Sequence, residues 1–436
     1  MRDVFAVQPP RSVYLHIPFC HRRCFYCDFA VVPLGDRADG ATGSGSNSIQ
    51  AYLRLLHREI ALIKAGPMLA TVYIGGGTPS LLSPSQIGAL LYQLRQQFGV
   101  QPGAEVTLEM DPASFDQVYL DAVLEAGINR VSLGAQSFDD SLLEKLGRRH
   151  RRHHLLQACG WLSQAYQRGE IKSWSLDLIQ NLPGQELVAW KQQLAESITT
   201  GAPHLSVYEL SVEPGTVFAW RQRRGELHLP NEDLAAELMQ FTSVLLRQAG
   251  FARYEISNYA LPGHASRHNR VYWSGAGWWG FGQGATSAPW GQRLARPRTR
   301  DGYHSWIELQ EVEGLDHSLI ASKANPLPLD ELLLVGLRCR EGVDLEALCL
   351  AWGWTEQQCK ALLPLLQLRW QSALDRGWLR LRGRRWQFSD PQGMDISNQV
   401  LVELLLWWQS LPADAIALPN PGGLPRKVGD LESMLD

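Results

Sequence analysis

No stretch of the sequence approaches the ~18 uninterrupted apolar residues of a membrane-crossing helix. The densest run, VLVELLLWW, is short and carries Glu403. The opening segment MRDVFAVQPPRS lacks the apolar centre of a secretion signal, so a cytoplasmic protein without a transmembrane segment is expected. Neither sign of charge dominates: 41 Lys and Arg stand against 44 Asp and Glu, a net charge of −3. That balance gives the whole chain no electrostatic reason to seek a nucleic acid. Cysteine is scarce and odd in number, seven in 436 residues. Without a secretory signal this argues against a disulfide framework, and for metal ligation wherever cysteines cluster.

Only three of them cluster. YLHIPFCHRRCFYCDFA, Tyr14 to Ala30, places Cys20, Cys24 and Cys27 in C-x₃-C-x₂-C spacing after a short apolar run. A fourth is missing: Phe29 stands where one more cysteine would complete C-x₃-C-x₂-C-x-C. The remaining four, Cys159, Cys339, Cys349 and Cys359, lie in apolar, helix-like surroundings such as DLEALCLAW and read as buried thiols.

What is present suits a large core. Hydrophobic residues make up 45% of the chain, and its length allows two or three domains of ~150 residues each. Six short β-branched or aromatic runs recur at 13–17, 71–75, 105–109, 130–134, 174–179 and 204–210, with helical periodicity between them. In the first intervening segment Ile49, Tyr52, Leu53, Leu56, Ile60 and Ile63 share one face. The next helix opens SPSQ, where Ser83 caps, Pro84 suits the first turn and Gln86 completes a capping box. Six β-then-α units predict an α/β fold, a parallel sheet bent into a partial (β/α)₆ barrel. With fewer strands than a closed eight-stranded barrel, one side stays open to a sizeable substrate.

The polar residues gather at one end of that sheet. Glu109 ends the third strand, Gln136 follows the fourth and Asp177 lies near the end of the fifth. The cysteines and the GGGTP run, with Gly75, Gly76 and Gly77, follow strands one and two. Carboxyl ends of barrel strands form the active face. Three thiolates there fit two objects. One is a zinc ion completed by His16 or His21. The other, which accounts for the polar residues on the other strands, is a [4Fe–4S] cluster with one iron left open for a chelating substrate.

YLHIPFCHRRCFYCDF, YIGGGTPSLL, LEMDP, LGAQSFDDSLLEKLGRRH and SLDLIQNLPGQ, in this order, resemble the radical S-adenosylmethionine (SAM) family, in the branch around the oxygen-independent coproporphyrinogen III oxidases. The resemblance spans roughly residues 12 to 405. It implies that Cys20, Cys24 and Cys27 bind the cluster, that Tyr14 and Tyr26 flank SAM, and that Gly76, Gly77 and Thr78 line its methionine portion. Glu109, Gln136, Arg148 and Asp177 fall on further SAM-contacting positions. The implied reaction is one-electron reductive cleavage of SAM to methionine and a 5′-deoxyadenosyl radical, fed by an electron donor such as flavodoxin or ferredoxin.

Two departures bear on the substrate. The oxidases carry the fourth cysteine that Phe29 replaces here, and an extension where this chain has only a short segment ahead of its first strand. The CDF ending and a later HNRVYW, His268 to Trp273, are instead similar to a heme-chaperone branch, implying heme binding and transfer to an acceptor protein, commonly a respiratory one. His268 offers an axial imidazole, and Tyr272, Trp273, Trp278, Trp279 and Phe281 could cover a porphyrin face. The alternatives are a true radical SAM enzyme, either an oxidase or a methyltransferase. The organisation expected is a tail (1–12), barrel with closing segment (13–324), a small winged-helix-like module of helices and a hairpin (325–405) and a Pro- and Gly-containing tail (406–436). The Gly/Ser-rich stretch 34–48 reads as a solvated loop beside the cluster. Arg380, Arg382, Arg384 and Arg385 on the hairpin suit either nucleic acid or a solvated face.

Overall fold

A computed structural model describes residues 10–36, 38, 40–43, 45–63, 66–289, 293–313 and 328–416. The expected tails therefore fall mostly outside the described residues, as do Trp290 and the 314–327 segment.

Nine strands form the main sheet: β1 (Ser12–Ile17), β2 (Leu69–Gly76), β3 (Val100–Met110), β4 (Arg130–Gln136), β5 (Ser173–Gln180), β6 (His204–Glu209), β7 (Ala252–Arg253), β8 (Asn258–Ala260) and β9 (Trp279–Phe281). The order is β9-β1-β2-β3-β4-β5-β6-β8-β7. β1 to β6 run parallel in chain order, as the six β/α units require. The closing segment extends the sheet at both ends: β9 pairs parallel with β1, and β8 and β7 continue antiparallel beyond β6. Among the described residues β9 and β7 do not pair, so the barrel is partial.

The two-residue period of the strands sorts side chains by chemistry. Leu15, Val72, Ile74, Val106, Leu108, Val131, Leu133, Leu176, Leu205 and Val207 join the covering helices in one apolar core. On helix Ser46–Leu62 the predicted face is buried, and Ser83 and Gln86 form both bonds of the capping box on helix Pro84–Gln97. Residues of the opposite parity line the barrel interior and are polar: Thr71, Tyr73, Glu105, Thr107, Glu109, Arg130, Ser132, Ser175, Asp177, His204 and Ser206. The barrel is thus greasy outside and hydrogen-bonded inside, which directs its chemistry inward.

A second apolar core belongs to the carboxyl-terminal module, where Leu333, Leu337, Cys349, Leu363, Leu366, Trp370, Trp386 and Trp407 pack together. The four expected buried thiols are all buried. The hairpin pairs Leu379–Arg382 with Arg385–Phe388 around Gly383, whose φ of +60° suits glycine at the turn. Helix Ser397–Ser410 runs through position 405, because Val400, Leu401, Leu404 and Trp407 complete this core. Arg340 N–H donates to the Tyr254 carbonyl at 3.0 Å, and Arg253 pairs with Asp395, tying the module to the edge of the sheet. Arg384 is engaged by Asp344 and Glu346, and Arg385 donates to the Glu341 carbonyl. Half of the hairpin arginines are thereby used within the protein.

Candidate functional site

The carboxyl ends of β1 to β6 surround a cavity of about 390 Å³. Cys20, Cys24, Cys27, Tyr26, Gly76, Gly77, Thr78, Glu109, Gln136, Arg148 and Asp177 all line it. Sequence separation is large, but strand ends bring them together.

The cysteine loop is fastened by backbone. Leu34 N–H donates to the Cys20 carbonyl at 2.8 Å, Cys27 N–H to that of Cys24 at 3.2 Å, and Phe25 N–H to Leu146 at 2.9 Å. Cys20 is buried, while Cys24 and Cys27 are half-buried. Burial pushes the Cys20 thiol up to about 12 and also raises that of Cys27, so these thiols need a cationic partner to ionise. At Gly77 an added Cβ would stand 2.6 Å from the Phe19 carbonyl oxygen and 2.8 Å from Cys20 Sγ. Gly76 has φ +118°, and its Cβ would meet the His16 ring at 2.8 Å. Here the glycines are needed for both conformation and space.

Across the cavity, Glu109 accepts from Tyr73 Oη at 2.8 Å and from Gly76 N–H at 2.9 Å. Burial pushes its carboxyl up to about 7 despite these two bonds. Asp177 accepts from Ser132 at 2.6 Å and Ser175 at 3.3 Å, and burial raises its pKa as well. Gln136 sits at an irregularity in the β4–β5 register with φ +58°, and its buried Oε1 has no protein donor. A bulge with a left-handed glutamine re-aims one side chain at the cost of local strain. Arg148 pairs with Asp111 at 2.6 Å, donates to the Gly134 carbonyl at 3.1 Å, and points its other Nη at Cys24 Sγ, 3.5 Å away. Burial alone would raise the Asp111 carboxyl, but Arg148 and His150 hold it well below the usual carboxylate range.

Two expected site residues lie elsewhere. Tyr14 is not in the cavity wall; its Oη bonds His16 Nδ1 at 2.9 Å. His268 is fully buried in helix Arg267–Ser274, with Nδ1 2.7 Å from Thr71 Oγ1 and Nε2 2.9 Å from Tyr272 Oη. Tyr73 stacks on its ring at 5.1 Å, and burial lowers its pKa to about 3. Both ring nitrogens of this neutral imidazole have protein partners, so in this structure it serves as a strut inside the barrel. The neighbouring aromatics are similarly engaged. Trp279 and Phe281 are buried in β9, and Trp278 Nε1 donates to the Thr286 carbonyl at 2.7 Å.

Of the two histidines that could complete a zinc site, His21 lines the cavity with the cysteines, whereas His16 is engaged elsewhere. His16 bonds Tyr14 and, at 3.2 Å, the Ala30 carbonyl. Among the described residues no three His, Cys, Asp or Glu side chains are already gathered as closely as a single ion requires, the three cysteines included, so this spacing does not separate zinc from a larger cluster. Sequence reasoning missed Tyr73, Asp111, Ser132 and Tyr208, which line the same cavity. Tyr73 and Ser132 share the inward parity of their strands with assigned residues, and Asp111 stands two positions after Glu109 in LEMDP, so parity counting would have found them.

Residues 14–187 match the Radical SAM superfamily. The fold is similar to that of coproporphyrinogen III oxidase (HemN) from Escherichia coli, with a TM-score of 0.72 at 20% identity over 91% of this chain and 90% of that one. In sequence the chain is 32% identical to a mouse protein, radical S-adenosyl methionine domain-containing protein 1, mitochondrial, over 93% of this chain and 90% of the relative. It is 34% identical to the heme chaperone HemW of Bacillus subtilis, covering 77% of this chain and 85% of that protein. Since it is also 39% identical to the heme chaperone HemW of a Synechocystis strain, over 91% of this chain and 96% of the relative, the chain belongs to the HemW family of the Radical SAM superfamily.

Proposed function

We propose that the chain is a heme chaperone that holds a [4Fe–4S] cluster and SAM in the barrel cavity, binds heme, and hands it to an acceptor protein. The observation that carries the cavity assignment is the convergence of three cysteines with Gly77, Thr78, Glu109, Gln136, Arg148 and Asp177 on one wall-to-wall space. The residues fit the groups. Three thiols on one loop suit three irons and leave one open. Gly77 clears room beside Cys20, and the orphaned Gln136 Oε1 offers an acceptor to a donor that the protein does not supply.

When bound, the cluster would supply the electron for SAM chemistry. The chain's own residues bind and orient. Glu109 and Asp177 offer acceptors to ammonium or ribose hydroxyls, and Arg148, beside Cys24, offsets thiolate charge while facing the cavity. Phe29, half exposed at the rim, can neither ligate iron nor relay a proton. This favours a chaperone over porphyrinogen oxidation, as do the names of the sequence relatives. Heme binding itself rests on those relatives, and we assign it no ligand.

Anaerobic reconstitution followed by parallel assays tests the reading. The protein should take up about four irons, bind heme, and leave coproporphyrinogen III unconverted with SAM and reductant present. Cys20→Ala, Cys24→Ala and Cys27→Ala should each lose the cluster, whereas Cys339→Ala should keep it. Robust conversion to protoporphyrinogen IX would sink the chaperone reading.

A further inference from the structure

The hydrogen-bonded interior of the barrel holds a line of aromatic rings that starts in the cavity and leaves it. Tyr73, in the cavity wall, stacks on His268 with 5.1 Å between ring centroids and 27° between planes. His268 meets Tyr272 at 5.1 Å, and Tyr272 meets Trp278 at 4.7 Å, both edge to face. Trp278 is half-buried and directly precedes β9, whose residues Trp279 to Phe281 pair in parallel with Val13 to Leu15 of β1. It therefore lies at the amino end of the sheet, opposite the cavity. A branch through Tyr14, 6.1 Å from Tyr73, stops at buried His16, whose Nε2 meets the Ala30 carbonyl.

Each of the two tyrosines on this line has its own proton acceptor. Tyr73 Oη donates to Glu109 at 2.8 Å. Among the described residues the Tyr272 hydroxyl meets no hydrogen-bond partner but His268 Nε2, 2.9 Å away. The phenol therefore donates to Nε2, and Nδ1–H donates to Thr71 Oγ1 at 2.7 Å, which fixes the tautomer. A phenol gives up an electron readily only where a base takes its proton in the same event. Oxidised phenol is strongly acidic, so even a buried imidazole suffices. The ring contacts supply the electron path and the two bases supply the proton path.

We propose that Tyr73, His268, Tyr272 and Trp278 form a protective path that carries oxidising equivalents from the cavity to the opposite end of the barrel; the proposal rests on the cluster assignment above. The oxidant is a hydroxyl radical, formed where peroxide meets iron held by the cysteines. It takes one electron from Tyr73 and becomes hydroxide, while the phenol proton passes to Glu109 and leaves a neutral tyrosyl radical. Tyr272 then gives Tyr73 an electron and His268 a proton, and Glu109 returns its proton to Tyr73. Trp278 refills Tyr272 by one electron as His268 hands the proton back. A soluble thiolate such as glutathione reduces the tryptophan radical cation and is left as a thiyl radical. Without the path, the thiols beside the oxidant would supply the electron and be oxidised.

A ruthenium polypyridyl label on Cys27 of the full chain, in iron-free Cys24→Ser protein, puts a one-electron photo-oxidant at the cavity without any cluster. Flash oxidation followed by transient absorption should show a tyrosyl signal that gives way to a tryptophan radical. Added to this labelled chain, Tyr73→Phe should lose both signals, and Glu109→Gln should slow the first by about a hundredfold, the scale of a positioned base. Tyr272→Phe should keep the tyrosyl signal and lose the tryptophan one. Tyr119→Phe, whose hydroxyl bonds the Leu82 carbonyl away from the cavity, should change neither. In reconstituted parent treated with hydrogen peroxide, peptide mass spectrometry should find oxidation concentrated at Trp278, and Tyr272→Phe should move it to the cysteine loop. A tryptophan radical undiminished in Tyr73→Phe or Tyr272→Phe protein would overturn the path. So would equal Trp278 oxidation in peroxide-treated parent and Tyr272→Phe protein. Failure to take up iron and sulfide, with the flash signals as expected, would remove the cluster assignment and the protective role with it, while the path itself would stand.

Discussion

Asp111, just past β3, and Arg148, just past helix Asp140–Lys145, form a 2.6 Å ion pair, and the same guanidinium lies 3.5 Å from Cys24 Sγ. Each side chain is 14% exposed, so neither is free to solvate itself. The carboxylate holds the arginine where thiolate charge would have to be offset if the cysteines bind a metal centre.

Asp111→Asn should therefore cost about 3 kcal/mol, the scale for leaving a buried charge without its partner. The sign with pH follows from the depressed Asp111 pKa. Its contribution is present above the ordinary carboxylate value of 3.8 and is lost as pH falls below it toward the folded value. Urea titrations of parent and variant should converge in acid and diverge above pH 4; parallel curves would contradict this role.

Glu109 gives the opposite sign. Burial raises its carboxyl to about 7, so Glu109 takes up a proton near neutrality. SAM affinity should weaken as pH drops through about 7, and Glu109→Gln should bind more weakly with that dependence gone. The raised pKa also means that ionisation opposes folding, so Glu109→Gln should melt higher than the parent at pH 8. Calorimetric SAM titrations and thermal melts at pH 6 and 8 check both.

Gly77→Ala should push the cysteine loop away, since the new methyl meets Phe19 and Cys20 at under 3 Å. Iron uptake should fall sharply while the circular dichroism of the fold persists. Gly88→Ala is the matched control: its nearest neighbour would be Ala126 at 3.9 Å. In a helix interior that change stabilises by about 1 kcal/mol, and iron uptake should match the parent.

His268→Ala separates a strut from a ligand. It removes partners from Thr71 and Tyr272 and opens space under Tyr73. Stability should drop by about 2–4 kcal/mol, by analogy with other buried truncations. The Soret band of bound heme should stay in place; a shifted band in a protein that melts like the parent would restore His268 as an axial ligand.

The parallel strands were legible because each is a short β-branched run between helices with clean capping signals, as at Ser83 to Gln86. The site was legible because its residues close those strands. Tyr14 and His268 were harder. Tyr14 has the inward parity and pairs in register with the cavity residue Tyr73, but its hydroxyl is taken up by His16 Nδ1, a side-chain choice that strand parity does not encode. His268 resides in a motif whose pattern is equally served by ligation or by support, and only its partners Thr71 and Tyr272, distant and near in sequence, distinguish the two. The pairing of β9 with β1 was likewise hidden, since three residues carry no periodicity.

That last pairing has a consequence in time. Val13, Tyr14 and Leu15 meet Trp279, Gly280 and Phe281, so on a ribosome adding roughly 5–20 residues per second one flank of β1 stays bare for tens of seconds. An unpaired strand edge recruits other chains, and the cysteine loop begins immediately beyond it. Until Phe281 emerges, the segment that would hold the iron is attached to the least protected border of the sheet. The nascent chain thus presents oxidisable thiols and a sticky edge together, and completion of β9 covers the edge.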